Sequence, residues 1–204
     1  MEITTHVVGS YEANCYFVTN KQTQEAVIID PGDNVALLRR IMEENELKPA
    51  AILLTHSHFD HVEAAESLRG TFKIPIYAWI DERDNFVGGV LANNITWLDN
   101  SNITFEIAGF LIRVIHTPGH TAGSVCYFIE SENVLFSGDT MFRKTYGRTD
   151  LDTGDLDAII NSFENQLYIL PNNTIVYPGH GRTTTIGDEK EHNAINYIAI
   201  IEGE

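Results

Sequence analysis

Apolar residues fall mostly into short runs broken by Gly, Pro, Asn, Asp and Ser, with helical spacing confined to a few longer stretches. Strands are expected at residues 3–8, 15–19 and 26–30, with Gly9-Ser10 and Thr19-Asn20-Lys21 as turns between them. Such close spacing suggests an antiparallel start to a sheet. Asp30-Pro31-Gly32-Asp33 breaks the third strand. Asp33 is placed to cap a helix reaching residue 47, with Val35, Leu38, Ile41 and Met42 as its apolar stripe. A strand at 50–54, a helix at 62–68 and a strand at 74–78 follow. Residues 81–94 carry Phe86, Val90 and Leu91 on one helical side, although Gly88-Gly89 weakens a helix there. β character returns at 103–107, 110–115, 124–129 and 134–136, with Ala108-Gly109 and residues 130–133 as hairpin turns. The clearest helix is 155–167, with Leu156, Ile159, Ile160, Phe163 and Leu167 on one face. A strand at 174–177 precedes a last helix, which starts after Thr185 at a Thr-Ile-Gly-Asp capping box and runs to about residue 201.

The order of elements repeats: strands, helix, strand, helix, then strands, helix, strand, helix. Two similar α/β halves are expected, each a sheet carrying helices on one face. With no linker, repeat or low-complexity stretch to divide it, the chain reads as a single domain over 1–204, long enough to bury a substantial core. The net charge of −16 changes the picture more than the ordinary 43% of hydrophobic residues does. With 13 Lys and Arg and no basic run, nucleic acid is not an expected partner. The N-terminus lacks a basic region followed by an apolar one, and no apolar stretch reaches membrane-spanning length. Cys15 and Cys126 sit in apolar runs and read as small core residues, so a reducing cytoplasm is the expected compartment.

The chemistry concentrates in Thr55-His56-Ser57-His58-Phe59-Asp60-His61, directly after an apolar strand. On extended backbone, residues two apart point the same way, so His56 and His58 can close on one ion. Asp60 and His61 fall where a helix is expected to begin and so approach from another direction. Imidazole nitrogen and carboxylate oxygen are ligands that zinc and similar ions take. A polar loop that happens to be rich in histidine is the competing reading. Three more strand ends carry matching residues: His116-Thr117-Pro118-Gly119-His120-Thr121, Ser137-Gly138-Asp139-Thr140 and Pro178-Gly179-His180-Gly181. Seven candidate ligands are too many for one tetrahedral ion and suit two ions sharing a bridging carboxylate.

H-x-H-x-D-H with H-T-P-G-H-T, S-G-D-T and a late P-G-H-G resembles the metallo-β-lactamase superfamily, and within it the glyoxalase II-like hydrolases. The likeness runs from Asn14-Cys15-Tyr16 to Glu189-Lys190. It implies a four-layer αβ/βα sandwich, two mixed sheets flanked by helices, with the site at one sheet edge. It also implies that His56, His58 and His120 hold one divalent ion, that Asp60, His61 and His180 hold a second, and that Asp139 bridges them. Zinc is the expected metal, with iron or manganese as alternatives. Asp30 matches a position that supports the site from behind, although a simple turn-forming Asp fits the residues equally well. His116 reads as scaffolding, and His6 and His192 as surface or packing residues.

Two such ions lower the pKa of a bound water to about 7, which suits hydrolysis of a small (thio)ester. Asp60 is expected to orient the nucleophile and handle its proton. A thiolate leaving group, with a pKa of about 8.5, departs without an acid. The pattern departs from true glyoxalase II after the bridging Asp, where Gly147-Arg148-Thr149-Asp150 replaces the Lys and Tyr that grip glutathione. Few residues follow His180, so the added helical domain of those enzymes is not expected. Arg148 reads as a partner of Asp150 more than as a substrate ligand, and Arg143, Lys144 and Tyr146 as weaker pocket candidates. The rival enzyme is a mononuclear iron persulfide dioxygenase of the same superfamily, and the rival of another class is a non-catalytic module stapled by metal.

Overall fold

In the computed structural model, residues 1–86, 93–99 and 103–198 are described. Fourteen strands are seen among them. Six form one sheet: β1 (Glu2–Val8), β2 (Ala13–Thr19), β3 (Glu25–Ile29), β4 (Lys48–Leu53), β5 (Ile76–Trp79) and β6 (Ile95–Leu98), ordered as in the chain. A second sheet has the order β14-β13-β10-β9-β8-β7, from β7 (Thr104–Ile107), β8 (Phe110–His116), β9 (Val125–Ile129), β10 (Val134–Gly138), β13 (Ile175–Pro178) and β14 (Thr184–Thr185). A small hairpin, β11 (Met141–Phe142) with β12 (Thr145–Tyr146), stands apart. Helices are α1 (Val35–Glu44), α2 (Phe59–Val62), α3 (Ala65–Phe72), α4 (Leu156–Ser162) and α5 (Ile186–His192). Both sheets are mixed: β1, β2 and β3 pair antiparallel before parallel β3-β4-β5-β6, and β10 pairs parallel with β13 inside an otherwise antiparallel sheet.

Strand alternation dictates the layering, because successive side chains leave a strand on opposite faces. In β2, Cys15 and Phe17 join a buried cluster with Leu38 and Met42 of α1 and Leu68 of α3. Their neighbours Tyr16 and Val18 turn the other way and pack, with Val27 and Leu53, against Val114, Tyr127 and Phe136 of the second sheet. In that sheet Cys126, Phe128 and Leu135 face outward onto Ile159 of α4, Phe163, Leu167 and Ile186 of α5. The result is helices, sheet, sheet, helices: the expected four layers. Cys15 and Cys126 are free and lie in different apolar layers. Among the described residues no helix is long and apolar enough to cross a membrane.

Several boundaries differ from the sequence reading. Asn34, with φ 55, caps α1 by accepting from the Leu37 N–H, and Asp33 instead accepts from the Asn34 N–H. The expected helix at 62–68 is two pieces, so Asp60 and His61 lie within the single turn of α2 and α3 extends to Phe72. Residues 80–86 form a 3-10 helix, and the rest of the expected helix at 81–94 lies mainly outside the described residues. The short strands β6, β11, β12 and β14 escaped the pattern because two to four residues carry too little periodicity. The 155–167 helix begins as expected, with Asp155 capping the Ala158 N–H, but becomes a π-turn at Phe163–Leu167. Thr185 caps α5 through the Asp188 N–H. That helix ends at His192 and gives way to a 3-10 turn at Ala194–Tyr197, and residues 199–204 lie outside the described range.

Candidate metal centre

The C-terminal ends of β4, β8, β10 and β13 meet at one edge of the two sheets, and each delivers donors there. His56 and His58 follow β4, the latter on extended backbone (φ −59, ψ 141) just before α2, which supplies Asp60 and His61. His120 follows β8 through Pro118-Gly119, Asp139 follows β10, and His180 follows β13. The His180 loop is held to the first sheet: the Asn14 N–H donates to the Gly179 carbonyl at 2.7 Å, and the Asn14 amide to the carbonyls of Pro178 and Gly181 at 3.0 Å each.

Two donor groups result. His56, His58 and His120 converge within 4.8 Å, with His58 Nδ1 and His120 Nε2 2.9 Å apart. Asp60, His61 and His180 form the second, with His180 Nε2 3.3 Å from Asp60 Oδ2 and 3.3 Å from His61 Nε2. Asp139 lies between: Oδ1 is 3.4 Å from His61 Nε2, and Oδ2 is 3.6 Å from His120 Nε2 and 3.5 Å from His180 Nε2. All seven expected residues are therefore side by side.

Hydrogen bonds behind the imidazoles set their tautomers, which are inferred from the network. Thr55 Oγ1 donates to Asp30 Oδ2 at 2.6 Å, so at 3.0 Å it accepts from His56 Nδ1–H. His120 Nδ1–H donates to the Arg148 carbonyl at 2.8 Å, and His61 Nδ1–H to Asp30 Oδ2 at 3.1 Å. In each ring the Nε2 lone pair is left facing the centre, as a metal ligand requires. His56 Nε2 and Asp139 Oδ1 are buried without a hydrogen-bond partner. Such orphaned atoms are costly unless something else satisfies them, and a cation fits both. The donor set thus suits divalent ions of the zinc or iron type.

Electrostatics agree. Burial, reinforced by neighbouring imidazoles, pushes His56 well below its ordinary pKa and keeps it neutral. Burial also works to lower His61, but Asp139 and the hydrogen bond to Asp30 outweigh it and raise the ring to about 9. A cation is therefore welcome beside Asp139.

A third set of close donors, Asp30, His56 and His61, is a support and not a further ion site. Both Asp30 oxygens are occupied, Oδ1 by the Thr55 N–H at 2.8 Å and Oδ2 by Thr55 Oγ1 and His61. Asp30 also sits at φ 49, an unusual conformation for a residue with a side chain that aims its carboxylate behind both histidines. Gly179 passes so close that an added Cβ would lie 2.0 Å from Asp139 Oδ1 and 2.8 Å from His61 Cε1. Gly179→Ala is expected to cost about 1–3 kcal/mol of stability as the crowded groups shift, read as a lower melting temperature.

The remaining sequence candidates fall elsewhere. His116 stacks on Trp79 at 4.6 Å and bonds the Ala122 carbonyl through Nε2, a scaffolding role. His6 packs on Phe17, and His192 is half exposed on α5. Arg148 forms a two-pronged ion pair with Asp150, at 2.7 and 2.8 Å. Tyr146 packs partly buried against the outer apolar layer of the second sheet, and Arg143 is exposed in the β11–β12 turn. Beside His58 opens a cavity of about 610 Å³, lined also by Phe59, Leu151, Asp150 and Asp152. Sequence reasoning missed Glu82, which lies fully buried behind the histidine loop. Its setting in Asp81-Glu82-Arg83-Asp84 looks like a solvated charge run and gave no signal.

Known proteins resemble the chain in sequence and in fold. Hydroxyacylglutathione hydrolase GloC of Haemophilus influenzae is 33% identical over 207 residues, covering 95% of this chain and 97% of that protein. The crystal structure of BLEG-1 B3 metallo-β-lactamase superposes with a TM-score of 0.86 at 40% identity, covering 95% of this chain and 98% of its own. TTHA1623 in a di-iron-bound form gives 0.82 at 33% identity, covering 94% and 98% respectively. The family profile described as Metallo-beta-lactamase superfamily matches residues 8–180, a span that includes every one of the seven converging side chains. By sequence, by layering and by the edge where its histidines and aspartates gather, the chain belongs to the metallo-β-lactamase superfamily, whose members are generally metal-dependent hydrolases.

Proposed function

We propose that the protein is a dinuclear metal-dependent hydrolase of small thioesters. The observation that carries this reading is the position of Asp139, within 3.4–3.6 Å of a nitrogen from each donor group, where one carboxylate can serve two ions. His56, His58 and His120 would hold one ion, Asp60, His61 and His180 the other. Zinc is the favoured identity, with iron or manganese as alternatives. Ions held there would supply Lewis-acid chemistry, activating water at neutral pH and polarising a carbonyl. The chain's residues do the rest. Asp60, 16% exposed at the mouth of the site, orients the nucleophile and accepts its proton at the carboxylate. Asp30 and Thr55 hold the His61 and His56 rings by their Nδ1 atoms, so that Nε2 of each faces the centre. No group acting as an acid on the leaving side is needed for a thiolate.

The cavity beside His58 bears on the substrate. Phe59 and Leu151 offer exposed apolar surface there, and among the described residues no Lys or Arg lines it. Arg148 is already committed to Asp150, so an anionic thiol carrier such as glutathione finds little grip. An acyl thioester with a small neutral carrier fits better.

Elemental analysis of protein purified without added metal or chelator tests the reading. About two ions per chain, with hydrolysis of a thioester panel, is the expected result. A single iron with oxygen consumption on a persulfide would instead support the dioxygenase, and no metal uptake at all would sink both. Arg148→Ala is expected to leave metal content unchanged and to alter kcat/KM by no more than about threefold. An exposed pair of this kind contributes little, and the backbone carbonyl that orients His120 is retained.

A further inference from the structure

Glu82 is entirely buried, and among the described residues no Lys or Arg pairs with it. A carboxylate so placed needs its lone pairs filled by other donors. Five donors are present. Oε2 accepts from the Ser57 N–H at 3.0 Å, from the Ser57 hydroxyl and from the Asn85 amide at 3.1 Å. Oε1 accepts from the Thr121 hydroxyl at 2.5 Å and from the Gly123 N–H at 2.9 Å. The arrangement leaves no slack, since a Cβ on Gly123 would lie 2.6 Å from Glu82 Cγ.

Asn85 belongs to the same 3-10 helix as Glu82, and the other four donors come from two loops. Ser57 lies between His56 and His58, and Thr121 follows His120 directly. Charge-assisted bonds to a single rigid carboxylate therefore set the distance between His58 and His120, whose facing nitrogens are 2.9 Å apart. The other donor group has different supports: His61 is held by Asp30, and the His180 loop by Asn14. Nothing in that second set bonds Glu82. We infer that Glu82 is a positioning residue for the three-histidine ion site alone, clamping the loop of His56 and His58 to the loop of His120.

The inference rests on the two-ion reading, and zinc titration against a chromophoric chelator separates the two. Wild-type protein taking up fewer than two ions would overturn both. In a His180→Ala background, where the three-histidine site holds the remaining ion, Glu82→Gln is expected to weaken zinc about 10–100-fold, the usual effect of losing a group behind a ligand. In a His58→Ala background, where Asp60, His61 and His180 hold it, the same change is expected to shift affinity less than about twofold. Equal weakening in both backgrounds, or none in either, overturns the assignment. Thr121→Val, which deletes one donor and keeps the side-chain shape, gives the same comparison should Glu82→Gln fail to fold. Weakening confined to the His180→Ala background upholds the role, and any other pattern refutes it.

Discussion

Asp139→Ala is expected to cut metal content from about two ions per chain to one or fewer and to lower thioester hydrolysis by about a thousandfold. The size follows from position. Its two oxygens lie within 3.6 Å of His61, His120 and His180, so the substitution removes a donor from both ions at once. Loss of a single electrostatic stabiliser at a reacting centre costs about 10²–10³ in rate, and loss of ion pairing falls at the upper end. The fold should survive, because Asp139 belongs to none of the three apolar layers. Elemental analysis, steady-state rates and circular dichroism together check the prediction; an unchanged rate with one ion bound would sink the dinuclear mechanism.

Chelation should produce the largest change in stability. An ion held at a thousandfold excess over its dissociation constant stabilises the native state by about 4 kcal/mol, and two ions by about twice that. For a chain of this size such a loss lowers the melting temperature by roughly 15–30 °C. A cooperative transition should remain, since the buried clusters contain none of the seven donors. The physical source of the loss is local: without an ion, His56 Nε2 and Asp139 Oδ1 are buried and unsatisfied. Calorimetry with and without chelator, then with zinc restored, measures the effect. A melting temperature indifferent to chelation would refute metal-linked stability.

The sequence made the site's location legible because donors cluster at the ends of apolar strands, and strand ends are what a sheet edge brings together. His56, His58, Asp60, His61, His120, Asp139 and His180 were all readable from such positions. Two similar α/β halves were legible from their matching order of elements, and the four layers from the family resemblance that the motifs carry. Strands of two to four residues were not, since they lack the length for any period to show. The helix expected at 62–68 is instead α2, ending at Val62, and α3, starting at Ala65, with Asp60 and His61 inside the single turn of α2. Glu82 was illegible for a different reason. Its function depends on donors 25 to 41 positions away, and no local pattern encodes that.

The two sheets are contiguous in sequence, the first ending at Leu98 and the second beginning at Thr104. This division has a consequence for biosynthesis. At roughly 5–20 residues per second, the ribosome completes the first sheet about 4–17 s before the second, which ends at Thr185. Through that interval Tyr16, Val18, Val27, Ile29 and Leu53 present an apolar wall with no opposing sheet to cover it. The nascent half is then a client for holding chaperones, and a chain cut short within β8–β10 would be prone to aggregate. Metal loading comes last, because neither half alone carries a complete set of donors.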